Sequence, residues 1–66
     1  MKLMCIGHKL KYYRKSNSIS QIELSKKTGI AQTTISDLEK NKYNPRIDVL
    51  CKLTKALGIE ITDLIN

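Results

Sequence analysis

The side chains best suited to recognition chemistry lie close together: Gln32, Thr33, Ser36 and Asp37. On a helix from about Ala31 to Glu39, 3.6 residues per turn set Ala31, Ile35 and Leu38 on one side. The four polar residues spread over the other side, which ends in the cation Lys40. A helix that is merely solvated favours Glu and Lys, which are strong helix formers. Here Thr33, Thr34 and Ser36 occupy interior positions that propensity disfavours, and that cost argues for a use of the face. Such groups match the edges of nucleobases. Gln bonds adenine through two contacts, Ser and Thr bond several bases, and a Thr methyl meets the thymine methyl. Gln32 is the strongest candidate, for an adenine. Asp37 has two readings: it accepts from a cytosine N4, or it repels a phosphate and so rejects wrong sites.

A reading face is useful only if something holds it. Ser20 and Glu23 have the spacing of a capping box, in which serine oxygen and glutamate each take one orphan N–H. Ile19, just before, reads as the hydrophobic staple. A helix therefore begins near Ser20 and stops near Thr28. Gly29 follows, and a helix that ends in a left-handed residue favours glycine, whose missing β-carbon removes the clash. Ile30 anchors the turn from within. Two helices joined by a short turn containing glycine form a helix-turn-helix, here Gln21 to Lys40, whose second helix enters the major groove of DNA. Gln21 opens the first of these helices, where free N–H groups and the positive dipole end suit a phosphate oxygen. Thr34, Lys40, Lys42 and Tyr43 are further candidates for the phosphate backbone, with ordinary solvation as the alternative for the two lysines. Arg46 is a weaker one.

Other chemistries have little to stand on. His8 is the sole histidine and has no evident nucleophile beside it. Cys5 and Cys51 are far apart, lack metal-ligand spacing and read as small buried apolar residues. No paired carboxylate, glycine-rich phosphate loop or metal cluster is present, so neither an enzyme nor a metal or cofactor site is expected. The net charge is +6, and Lys2, Lys9, Lys11, Arg14 and Lys15 fall in a leading stretch without acids. That excess favours a polyanionic partner. No signal peptide and no run of about 20 apolar residues appears, so a cytoplasmic, reducing setting without membrane contact is expected.

The 66 residues suffice for one small domain, expected to span the whole chain. Such a domain buries only about 60% of its unfolded surface and is marginally stable. The remaining pattern is helical throughout. Ile6, Leu10 and Tyr13 form an apolar stripe on a first helix from Cys5 to Lys15. Tyr12 and His8 fall on its flanks. Ser16, Asn17 and Ser18 end it. Lys42 to Pro45 is a loop, since Asn44-Pro45 marks a turn. A fourth helix runs from about Arg46 to Leu57, with Ile47, Leu50, Cys51, Leu53, Ala56 and Leu57 as a wide apolar stripe. Gly58 caps it. Ile59 to Ile65 makes a last short helix. The expected fold is all-α, a compact bundle of five short helices.

The run Ser20-Gln21, Leu24-Ser25, Thr28-Gly29-Ile30, Thr34-Ile35-Ser36, Leu38-Glu39 and Asn44-Pro45 resembles the Cro/cI-type (XRE, lambda-repressor-like) helix-turn-helix family of phage and bacterial regulators. The likeness extends from about Ile6 to Leu64. It implies a DNA-binding transcriptional regulator, most often a repressor, that reads two half-sites of a palindromic operator as a homodimer. It implies an ion pair between Arg14 and Glu39, with two independent surface charges as the alternative. It places Lys40 and Lys42 where the family's loop meets the DNA backbone. It points to Ile59, Ile61, Leu64 and Ile65 as the dimer interface, unless these only close the monomer core. Related roles are also open: the antitoxin of a toxin–antitoxin pair, with a toxin as protein partner, or the controller of a restriction–modification operon. The sequence departs from the pattern at Ala31 and Arg46, where the family often has a hydroxyl cap, at Ser25 in place of alanine, and at Asn41 in place of glycine. Asparagine is the next-best left-handed cap.

Overall fold

A computed structural model describes residues 5–65 as five helices: α1 Cys5–Ser16, α2 Gln21–Thr28, α3 Gln32–Glu39, α4 Ile47–Leu57 and α5 Ile61–Ile65. No strand occurs among the described residues. The expectations resting on Lys2, on the leading segment and on burial of the Cys5 side chain lie outside the described residues.

Several helix ends have a local cause. At the start of α2, Ser20 Oγ accepts from the Glu23 N–H at 3.0 Å, and the Ser20 N–H donates to Glu23 Oε1 at 2.8 Å. This is the full capping box. Gly29 then turns the chain with φ 76°, and its N–H donates to Ser25 O. The end of α1 is left-handed at a non-glycine residue, Ser18, with φ 56°. Two hydrogen bonds pin that turn, Ser18 N–H to Lys15 O and Ile19 N–H to Arg14 O. The end of α3 repeats the motif at Asn41, with φ 59°. There Asn41 N–H donates to Leu38 O at 3.0 Å and Lys42 N–H to Asp37 O at 2.8 Å. This pair of bonds is the Schellman arrangement, which satisfies carbonyls that the helix leaves open.

One face of every helix meets in a single core of Ile6, Leu10, Leu24, Ile30, Ile35, Leu38, Leu50, Leu53, Leu57 and Leu64. α1 packs on α3 and α5, α2 packs on α3 and α4, and α4 closes on α5. The stripe expected on α1 holds, with Ile6 and Leu10 buried and Tyr13 partly so. Tyr12 projects into solvent with its ring edge-on to Tyr13, and His8 is exposed.

Three apolar residues do not sit where periodicity puts them. Cys51 is exposed, because the buried face of α4 is centred on Leu50, Leu53, Thr54 and Leu57. Thr54 takes the inward position and hides its hydroxyl by donating to Cys51 O at 3.0 Å. Ile47 is 65% exposed at the first turn of α4. Ala31 is exposed as the non-helical residue before α3, with φ −57° and ψ 141°, and it is Ile30 that is buried. α3 and α4 thus begin one residue later than expected. α5 begins at Ile61 rather than Ile59, because the Ile59 N–H completes the end of α4 by donating to Thr54 O.

Candidate nucleic-acid interface

The candidate surface is built on α3 and on the turns at its two ends. Ile35 and Leu38 are fully buried and fix the rotation of the helix. Gln32, Thr33 and Asp37 consequently face solvent, and Ser36 is half-buried beside them. Thr33, Ser36 and Asp37 lie on the side away from Ile35 and Leu38, which follows from about 100° of rotation per residue, while Gln32 stands on the flank and is exposed as the first residue of the helix. Thr34 is half-buried at the edge of that face.

The turn before α3 is cross-linked by hydrogen bonds among its own polar groups. Ser25 Oγ donates to Ile30 O at 2.6 Å, and Thr28 Oγ1 accepts from the Ile30 N–H at 3.1 Å. Thr28 Oγ1 in turn donates to Leu24 O at 2.8 Å. Ile30, 8% exposed, is held into the core by the same bonds. The departure at Ser25 therefore has a local use: its hydroxyl ties the second helix to the carbonyl that leads into the third. Ala31 supplies no side-chain cap, but its carbonyl still accepts the first helical bond, from Ile35 N–H at 3.1 Å.

The far end of α3 is clamped by α1. Arg14 Nε donates to Glu39 Oε2 at 2.6 Å, and Nη2 donates to Glu39 Oε1 at 3.1 Å. The two side chains are only 9% and 6% exposed. Arg14 Nη1 also donates to Ile19 O at 2.8 Å, so one guanidinium joins α1, the α1–α2 turn and α3. Gln21 completes the group, its carboxamide nitrogen donating to Glu39 Oε1 at 3.1 Å. The sequence points Gln21 to a phosphate alone; the packing of α2 on α3 also brings one of its carboxamide N–H donors onto the ion pair. A second clamp lies nearby, since Gly7 N–H donates to Asn41 Oδ1 at 3.1 Å.

Beyond the clamp, Lys40, Lys42 and Tyr43 are all exposed along the exit from α3. In the tail, Ile59 and Ile61 are half-exposed and Ile65 is 40% exposed. Leu64 does not fit the interface role that the family resemblance implies for it. It is 1% exposed because it closes the monomer core beneath α1 and α4, so it presents no surface to a second copy. Among the described residues there is no cluster of His, Cys, Asp or Glu that could hold a metal ion, and no helix long and apolar enough to cross a membrane.

A buried inner face, a hydrogen-bonded turn and an outward polar helix define a helix-turn-helix. The family model described as helix-turn-helix matches residues 10–64, and the chain belongs to that family, in its Cro/cI-type branch of DNA-binding transcription regulators. It is 40% identical over 57 residues to an HTH-type transcriptional regulator of Methanocaldococcus jannaschii, covering 86% of each chain. Its fold is similar to the restriction–modification controller protein C.AhdI of Aeromonas hydrophila, at a TM-score of 0.89, 27% identity and 94% of both chains. It is also similar to a chain of the SinR–SinI complex, at a TM-score of 0.89 and 35% identity, covering 92% of this chain and 60% of that one.

Proposed function

We propose that this chain is a sequence-specific, double-stranded DNA-binding transcriptional regulator that reads an operator through the major groove with α3. The observation that carries the reading is the outward set Gln32, Thr33, Ser36 and Asp37 on a helix whose back is fully buried. Gln32 and Thr33 stand at the N-terminal end of α3, the part that docks deepest in this motif. Gln32 bonds an adenine edge, and Thr33 and Ser36 bond neighbouring edges. Asp37 either accepts from a cytosine or discriminates by repulsion. Thr34, Lys40, Lys42, Tyr43 and the first turn of α2 at Gln21 hold the phosphate backbone.

The regulator acts as a homodimer in the cytoplasm, with the two copies joined through α5. Ile65 and the half-exposed Ile59 and Ile61 supply the apolar contact. One helix-turn-helix offers few base contacts, and a second copy about one helical turn away doubles them. Repression is the simplest outcome, since an occupied operator blocks polymerase without any further surface. Selection of bound sequences from random duplex DNA tests the whole reading. The expected result is a palindromic site; recovery of unenriched sequence at moderate salt would overturn it.

A more specific role is favoured by one comparison. The controller protein matches this chain over nearly the full length of both, so control of a restriction–modification operon is the second reading. It requires a methylase gene adjacent to the chain's own gene, and the genomic neighbourhood decides it.

A further inference from the structure

The contact between Gly7 and Asn41 joins residues 34 positions apart in the chain. Gly7 lies in the first described turn of α1, where a backbone N–H can look outside the helix for an acceptor. Asn41 supplies the acceptor from the end of α3, at 3.1 Å. The backbones are close enough that a β-carbon on Gly7 would stand 2.5 Å from Leu38 O and 2.8 Å from Glu39 O. Only glycine permits that approach. The first described turn of α1 thus rests on the last carbonyls of α3.

Asn41 itself is held at φ 59°. Glycine would adopt that conformation with less strain, but it has no side-chain oxygen. Asparagine therefore makes the turn and reaches α1 as well. Gly7 and Arg14 are two turns apart on one face of α1, about 10 Å along its axis. They grip α3 at Asn41 and Glu39, on either side of Lys40.

We propose that Asn41 is a positioning residue for the phosphate contacts: its side chain pins the loop 42–46 to the first turn of α1 and so fixes where Lys42 and Tyr43 are presented. The proposal rests on the DNA-binding reading above and names no contact of Asn41 with DNA. Asn41→Gly separates its two duties, because the left-handed turn is kept and only the strut is removed. Amide exchange and backbone relaxation are measured on the free protein, and affinity for a mixed-sequence duplex is measured across a range of salt.

In Asn41→Gly, the Gly7 amide should exchange faster and residues 42–44 should gain fast motion. Affinity should fall about fivefold, the equivalent of one hydrogen bond's net contribution. The salt slope should shrink by up to about 1 as one phosphate contact becomes loose. The melting temperature should stay near wild type, since relief at the turn offsets the lost bond. Asn41→Asp keeps the acceptor and should restore the loop. An unchanged loop, affinity and salt slope in Asn41→Gly would overturn the proposal. A wild-type protein that binds no duplex would instead overturn the proposed function, while the exchange and relaxation data still decide whether Asn41 holds the loop.

Discussion

Arg14 and Glu39 face each other with two hydrogen bonds between guanidinium and carboxylate, 2.6 Å and 3.1 Å long, in a site where neither side chain is more than a tenth exposed. The pair fixes the C-terminal turn of α3 against α1. Removing one partner leaves an uncompensated buried charge, which costs about 3–5 kcal/mol. Arg14→Met should therefore destabilise the domain by that amount, which for a chain this small leaves little net stability. The double variant Arg14→Met with Glu39→Met should recover much of the loss, since apolar replacement of a buried pair is often neutral. Urea denaturation of the single and double variants measures the difference. Equal losses in both would show that the charge itself is not what matters.

Gln32 is exposed at the first position of α3 and makes no contribution to the core. Gln32→Ala should leave the melting temperature unchanged. It should weaken specific binding by about 1–3 kcal/mol and relax the preference at one base pair per half-site. Gel-shift titration against a panel of operator variants reads both effects. A preserved base preference removes Gln32 from the reading role.

Lys42 lies just past the left-handed turn at Asn41, exposed and held by its own N–H to Asp37 O. Its charge should act on every sequence alike. Lys42→Ala should weaken specific and non-specific duplexes by similar factors and lower the salt slope by about 1. A slope equal to wild type would assign the lysine to solvent.

The Glu23 carboxyl is held below its ordinary value of 4.5, first by the Ser20 backbone N–H, then by the Ser20 hydroxyl, with Lys27 and Lys26 adding attraction. A depressed carboxyl stabilises the fold fully above its unfolded value and loses that contribution as pH falls through the folded one. Stability should therefore decline below about pH 4.5 in part through this cap. Glu23→Gln keeps an acceptor for the Ser20 N–H but cannot titrate. Its urea midpoint should fall less steeply than wild type between pH 5 and pH 2. Parallel pH profiles would mean that the cap carries no proton linkage.

Much of this architecture is written in short spacings. Ser20 with Glu23, Gly29, Asn41 and Gly58 each fix a helix end through partners within about five residues, so neighbouring sequence is enough to identify them. The outward direction of Gln32, Thr33, Ser36 and Asp37 is equally local, because the buried Ile35 and Leu38 set the rotation of the same helix. Resemblance to the family then supplied the Arg14–Glu39 pairing, which spacing alone does not give.

Other features depended on how the helices stack. Periodicity states which face of a helix is apolar, but not how far the neighbouring helix covers it. That is why Ile47 and Cys51 read as core and stand in solvent, and why Leu64 reads as interface and is enclosed. Gln21 turned towards Glu39, and Asn41 towards Gly7, across 18 and 34 residues of chain. A hydrogen bond between distant residues forms only where packing brings donor and acceptor within about 3 Å. The chain alone thus determined the succession of five helices, the caps at Ser20, Gly29, Asn41 and Gly58, and the exposed polar face. The packing of α1 against the end of α3 decided which residues hold that face in place, because there Arg14 reaches Glu39 and the Gly7 N–H reaches Asn41 Oδ1 across separate helices.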